Sequence, residues 1–227
     1  MRVGTFLPRM RGKLKRAYER KEAIMGNSNR FASADFTAGQ LSTDELSVSE
    51  LVRSWCEVDG IIYFSVTSDG TTGKDWITRL ESKGSRVGDY AKQVLRSPSF
   101  KPTSGVTTDV AVLRGCFFED NNRTTKKIRA YAKAFRTPDN RKLGKPEPEL
   151  ACLIREKFTD DELEAMGLWY IIAMHESIIT PNGKPRFLGV YRGDGGSWIY
   201  ACCNESDKVW NRAGGSAFVV SHASTES

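Results

Sequence analysis

Four strand-like runs crowd the end of the chain: "LWYIIAMHESI" from Leu168, "RFLGVYR" from Arg186, "SWIYACC" from Ser197 and "SAFVV" from Ser216. Each is short, rich in β-branched and aromatic residues, and bounded by turn formers such as "TPNGK" and "GDGG", which is the pattern of closely spaced strands. A chain that ends this way must bury a sheet there, so whatever precedes it has to supply covering layers or a separate body.

Upstream, helical patterns dominate. Lys74 to Ser82 places Trp76, Ile77 and Leu80 on one face before Gly84. Asp89 to Arg96 is stopped by Ser97 and Pro98, and Thr125 to Phe135 forms a third segment. "PELACLIREKF" is helical in pattern, and "TDDE" at Thr159 to Glu162 has capping-box spacing, predicting a helix that closes at Gly167. Two strands interrupt these helices, Ile61 to Val66 and Asp109 to Leu113. Helical composition from Lys13 to Met25 and a short helix near Thr43 to Val52 complete the pass. The expectation is an α+β protein with a helical N-terminal half and a C-terminal β-rich unit. Its expected parts are a basic leader at 1–30, an α/β region at 31–137, a linker at 138–148 carrying Pro138, Pro146 and Pro148, and helices plus a β unit at 149–227.

The formal charge of +6 is unevenly distributed. Residues 1–30 hold nine Lys/Arg against Glu19 and Glu22, a net +7, so residues 31–227 carry −1. Attraction to nucleic acid or an anionic surface is therefore expected only from the leader, through residues 9–21. No run is long and apolar enough for a membrane span and no secretory signal is visible, so a cytoplasmic location is expected. Cys56, Cys116, Cys152, Cys202 and Cys203 are odd in number and irregularly spaced, which argues against a disulfide framework. Adjacent Cys202 and Cys203 would face opposite ways on a strand, so no metal site and no cofactor are expected.

Catalytic signatures are weak. "IIYFSVTSDGTTGKDW" has the strand, glycine loop, lysine and helix order of a phosphate-binding loop, but Gly70 and Gly73 are too close together and Asp75 stands where a hydroxyl is wanted. Asp69, Gly70 and Thr71 resemble part of the "DxDGT" loop of haloacid-dehalogenase-like phosphotransferases, with Thr67 replacing the nucleophilic Asp. A phosphate- or nucleic-acid-handling role for Asp69 to Lys74, with the basic leader, is the alternative reading. His175 and His222 are the only histidines; late in the strand that starts at Leu168, where Glu176 faces the opposite way, His175 reads as a hydrogen-bonded strand-end residue. No catalytic residue is assigned.

The tail suggests binding instead. "GVYRGDGGSW", then Trp210, then "SAFVVS", resembles the C-terminal part of C-type-lectin-like domains of the formylglycine-generating-enzyme type, in particular the variable proteins of diversity-generating retroelements. The resemblance implies a scaffold of Gly195, Gly196, Trp198, Trp210 and Phe218, between which selected positions are rewritten by adenine-directed mutagenesis. Tyr191, Asp194, Ile199, Tyr200, Cys202, Cys203, Asn204, Asp207, Asn211 and Ala213 are all reachable by changing the adenines of a codon that ends in a pyrimidine; the two tryptophans are not. The expected function is a non-catalytic ligand-binding protein with a diversified surface facing a protein partner. Tyr191 and Tyr200 would be its anchors, and Arg192, Asp194, Asn204, Asp207, Asn211 and Arg212 would orient the ligand.

Overall fold

Strand β2, Ile61–Asp69, begins with an unbroken apolar run because both of its faces are covered. In the computed structural model, which describes residues 54–193, 195–205 and 208–221, Ile62, Phe64 and Val66 enter one hydrophobic cluster while Ile61 and Tyr63 enter another on the opposite face. Alternation of side chains along a strand produces this division. It repeats at Val110 and Val112 against Ala111 and Leu113, and at Leu188 and Val190 against Phe187.

Ten strands share one mixed sheet among the described residues. Besides β2 they are β1 Cys56–Val58, β3 Arg86–Val87, β4 Ser104–Arg114, β5 Leu143–Gly144, β6 Tyr170–Ala173, β7 Ile178–Ile179, β8 Pro185–Gly193, β9 Gly196–Cys203 and β10 Gly214–Val220. The order across the sheet is β1-β2-β4-β10-β6-β8-β9-β3, with β5 added to β10 and β7 to β8. β10 is antiparallel to β4 and parallel to β6, and β3 is parallel to β9.

Helices α1 Gly73–Ser82, α2 Asp89–Leu95, α4 Leu150–Lys157 and α5 Asp160–Ala165 bury Trp76, Leu80, Val94, Ile154 and Leu163 against one face. Helix α3, Thr125–Ala134, packs Ile128 and Ala132 on the other. Glu149 fastens the first layer: its carboxylate is buried and accepts from Trp76 Nε1 at 3.4 Å and from the Thr103 amide at 2.9 Å. Gly73 allows α1 to start where it does, since a Cβ there would lie 1.8 Å from the Leu95 carbonyl oxygen. Thr159 and Glu162 form the reciprocal capping box of α5, and Gly167, at φ 71°, follows its last turn.

The sheet corrects the expected fold class. An α+β chain with a helical N-terminal half and a distinct C-type-lectin-like β unit is not what forms. β1, β2 and β4 from the N-terminal side lie in the same sheet as β6 to β10, because β10 inserts between β4 and β6 and uses both of its edges. Glycines let the side chains of the neighbouring strands lie over β10: a Cβ on Gly214 would fall 2.1 Å from the Tyr170 ring and one on Gly215 2.5 Å from Val112. β2 and β4 also run on past their apolar centres. At the limit of the expected strands Ser65 donates to Asp109 at 2.7 Å, and beyond it the Thr67 and Thr107 hydroxyls, from residues that read as loop, meet at 2.9 Å and continue the ladder. Residues 138–148 contain β5, which pairs with the end of β10. The helices expected at Lys13 to Met25 and Thr43 to Val52, and the leader contact through residues 9–21, lie outside the described residues. Among the described residues no helix is long and apolar enough to cross a membrane.

Candidate functional site

Register builds a row of aromatic side chains across three strands. Tyr170 on β6 stands opposite Tyr191 on β8, and Tyr191 stands opposite Trp198 on β9. Directly paired residues on one face are close enough to interact. Two residues along β9, Tyr200 is opposite Gly189, whose missing side chain leaves the next position of β8 empty on this face. Tyr191 and Tyr200 meet edge to face, with ring centres 5.9 Å apart.

The segment 208–211 forms a wall over this row. Arg123, buried at the entrance to α3, donates through Nε to the Trp210 carbonyl at 2.8 Å, and its own carbonyl accepts the Trp210 amide at 2.9 Å. The Trp210 indole donates to Thr125 Oγ1 at 3.0 Å. From the other side, the Asn211 amide donates to Tyr170 Oη at 2.8 Å. The wall is thus tied both to a helix and to the sheet, the condition for a preformed site.

Between wall and row lies a recess of about 670 Å³ lined by Tyr170, Tyr191, Trp198, Tyr200 and Trp210, with Gly193, Gly195, Cys202, Lys208, Val209 and Asn211. That size and aromatic content belong to the range of small-molecule and peptide sites. Tyr191 and Val209 are 38% and 51% exposed, so apolar surface continues over the rim. Lys208 Nζ lies 4.7 Å from the Trp210 ring centre, and the Arg86 guanidinium lies 5.2 Å from that of Trp198. Burial pushes the Cys202 thiol up to about 12 and the Tyr200 phenol well above its ordinary value. Both groups are neutral at physiological pH, and neither is an activated nucleophile. The lining offers stacking surfaces, hydroxyls and a cation.

Of the residues singled out from sequence, Tyr191, Tyr200, Cys202 and Asn211 meet at this recess with Gly195, Trp198 and Trp210. Others do not join them. Ile199 points into the core of the opposite face, and Arg192 reaches away to the Leu168 carbonyl and Glu164. Phe218 is buried in β10. Gly196 occupies the tight β8–β9 turn at φ 102°. Cys203, Asn204, Arg212 and Ala213 do not line the recess, and Asp194 and Asp207 lie outside the described residues. Tyr170, Lys208, Val209 and the clamp Arg123 were missed. Tyr170 was within reach of a register argument, since "YIIA" alternates with it; the others depend on loop placement that no local pattern encodes.

The other candidates have structural duties. The Asp69 carboxylate accepts from the Thr71 amide at 3.1 Å, from its hydroxyl, and from Arg79. These partners, Thr71 first, hold it down to about 2. Thr72 caps α1 by accepting the Asp75 amide, and the Asp75 carboxylate sits at that same helix start, where it disfavours a second anion. His175 is fully buried, with Nε2 accepting the Leu188 amide at 2.8 Å and Nδ1 facing the Glu176 carbonyl.

Compared with protein-family models, curated proteins and solved structures, the chain matches none. Its geometry nevertheless defines a class, a mixed, mainly antiparallel sheet covered by helices on both faces, with an aromatic recess held open beside one of them.

Proposed function

We propose that this protein is a non-catalytic binding protein whose ligand enters the aromatic recess over β6, β8 and β9. The observation that carries the reading is the cross-strand row Tyr170, Tyr191 and Trp198, closed by Tyr200 and the clamped Trp210. A concave site lined mainly by aromatic rings with a few polar groups among them is the usual form of a small-molecule or peptide site. Rigid rings presented by a framework give contact area with little loss of side-chain entropy on binding. The buried, protonated Cys202 and Tyr200 favour binding over covalent chemistry.

The test is a screen of planar and amphipathic small molecules by protein-observed NMR on the full chain. Binders should shift the indole N–H signals of Trp198 and Trp210, and those shifts should vanish in Tyr191→Ala. Hits that leave both indoles unmoved, or a screen without hits, would defeat the reading.

A further inference from the structure

We infer that the natural occupant of the recess is single-stranded nucleic acid, with bases stacked on the aromatic row and phosphates met by Lys208 and Arg86. This rests on the recess being the binding site and adds the chemistry of what binds. Three observations converge.

First, the rings lie on adjacent strands of one sheet face. Tyr170, Tyr191 and Trp198 are successive cross-strand partners, so they are spaced along the sheet as separate platforms. A row of this kind takes consecutive planar groups, and unpaired bases are the common polymer that presents them. Base pairs in a duplex cannot reach such a surface, because their faces are already stacked.

Second, the cations sit at the two indoles. Arg86 packs on Trp198 at the rim beside Gly195, and Lys208 packs on Trp210 at the wall. Neither has a carboxylate partner among the described residues. Several other basic residues near strand ends are paired: Arg192 with Glu164, Arg114 with Glu57, Arg141 with Asp109 and Asp139. Positive charge that no described carboxylate pairs, set beside stacking surfaces, is complementary to a chain that alternates bases with phosphates. The described lining of the recess contains no carboxylate to compete with it.

Third, residues 1–30 carry a net +7 in a chain whose remainder is −1. A cationic leader raises the local concentration of a polyanion without reading its sequence. It cannot discriminate single from double strands; the recess can.

The experiment uses the full chain and fluorescein-labelled oligo-dT and oligo-U of about 12 nucleotides, a length within the range that aromatic platforms occupy. The expected results are saturable anisotropy with quenching of tryptophan fluorescence, and an affinity for single strands above that for a duplex of equal length. Tyr191→Ala and Trp198→Ala should each weaken binding about tenfold, the effect of one stacked base. Lys208→Gln should weaken it and reduce the slope of log affinity against log salt by about 0.7, one phosphate contact. Tyr191 is already partly exposed, so its variant keeps the inference testable if Trp198→Ala folds poorly. The two oligonucleotides separate an RNA from a DNA source. Binding that both aromatic variants leave unchanged, equal affinity for duplex, or no binding to either oligonucleotide overturns the inference. If small planar compounds still move the recess indoles when oligonucleotides do not bind, only the ligand class falls; if nothing moves them, the recess reading falls as well.

Discussion

Protonating His175 should unfold this protein more readily than protonating any exposed group. Its ring is fully buried, edge-on to Phe187 at 5.6 Å, and both nitrogens are committed: Nε2 accepts the Leu188 amide and Nδ1 donates to the Glu176 carbonyl. A second proton would sit on Nε2, facing another donor. Burial, the largest cause, lowers the pKa from 6.5 to about 4; the Arg129 guanidinium adds to the shift, while the Glu176 carbonyl and carboxylate oppose it. Because the unfolded chain takes up the proton first, stability is full above about pH 6.5 and falls as pH drops toward 4. At about 1.4 kcal/mol per pKa unit, the whole interval is worth about 3 kcal/mol. Urea unfolding followed by tryptophan fluorescence between pH 4.5 and 7.5 measures it. The wild type should lose about 1 kcal/mol per pH unit below pH 6. His175→Gln, which keeps an acceptor but cannot titrate, should start less stable and show a much shallower slope. Equal slopes for the two proteins, or a wild type that gains stability on acidification, would refute the reasoning. Asp69 is also held below its ordinary value, at about 2, and Glu176 is held low first by Lys145. Both act with the same sign at more acidic pH, Glu176 from about 4.5 downward, at the foot of the histidine window, and Asp69 from about 3.8 to about 2, below it.

Two further substitutions test the framework. Gly214→Ala would set a Cβ 2.1 Å from the Tyr170 ring, displacing the phenol from Asn211; we expect a loss of about 1–3 kcal/mol, as for other overpacked sites, together with loss of the indole shifts produced by recess ligands. A variant of unchanged melting temperature and unchanged ligand response would contradict that contact. Thr159→Ala removes one half of the α5 capping box and should cost about 1 kcal/mol by chemical denaturation while leaving binding intact; a reduced affinity at full saturation of folding would mean that α5 communicates with the recess.

Much of this architecture was readable one segment at a time. Trp76, Ile77 and Leu80 lie on the buried face of α1, the threonine and glutamate of "TDDE" cap α5, and the glycine-bearing turn at Gly195 and Gly196 joins two real strands. Propensity, capping and side-chain periodicity are local, so neighbouring residues suffice to express them. The two-residue strands β3, β5 and β7 and the polar ends of β2 and β4 were not visible, because their pairing depends on distant partners and not on composition.

Taken alone, the sequence determined the helical segments and the apolar centres of the longer strands. Only the tertiary structure decided that β10 runs between β4 and β6, joining the N- and C-terminal strands in one sheet, and that Tyr170 and Lys208 complete a recess of which Tyr191 and Tyr200 are part. The reason is physical: alternation along a strand settles which face a side chain takes, whereas strand order is settled by the closure of edges across the whole sheet, a global requirement that no window of residues contains.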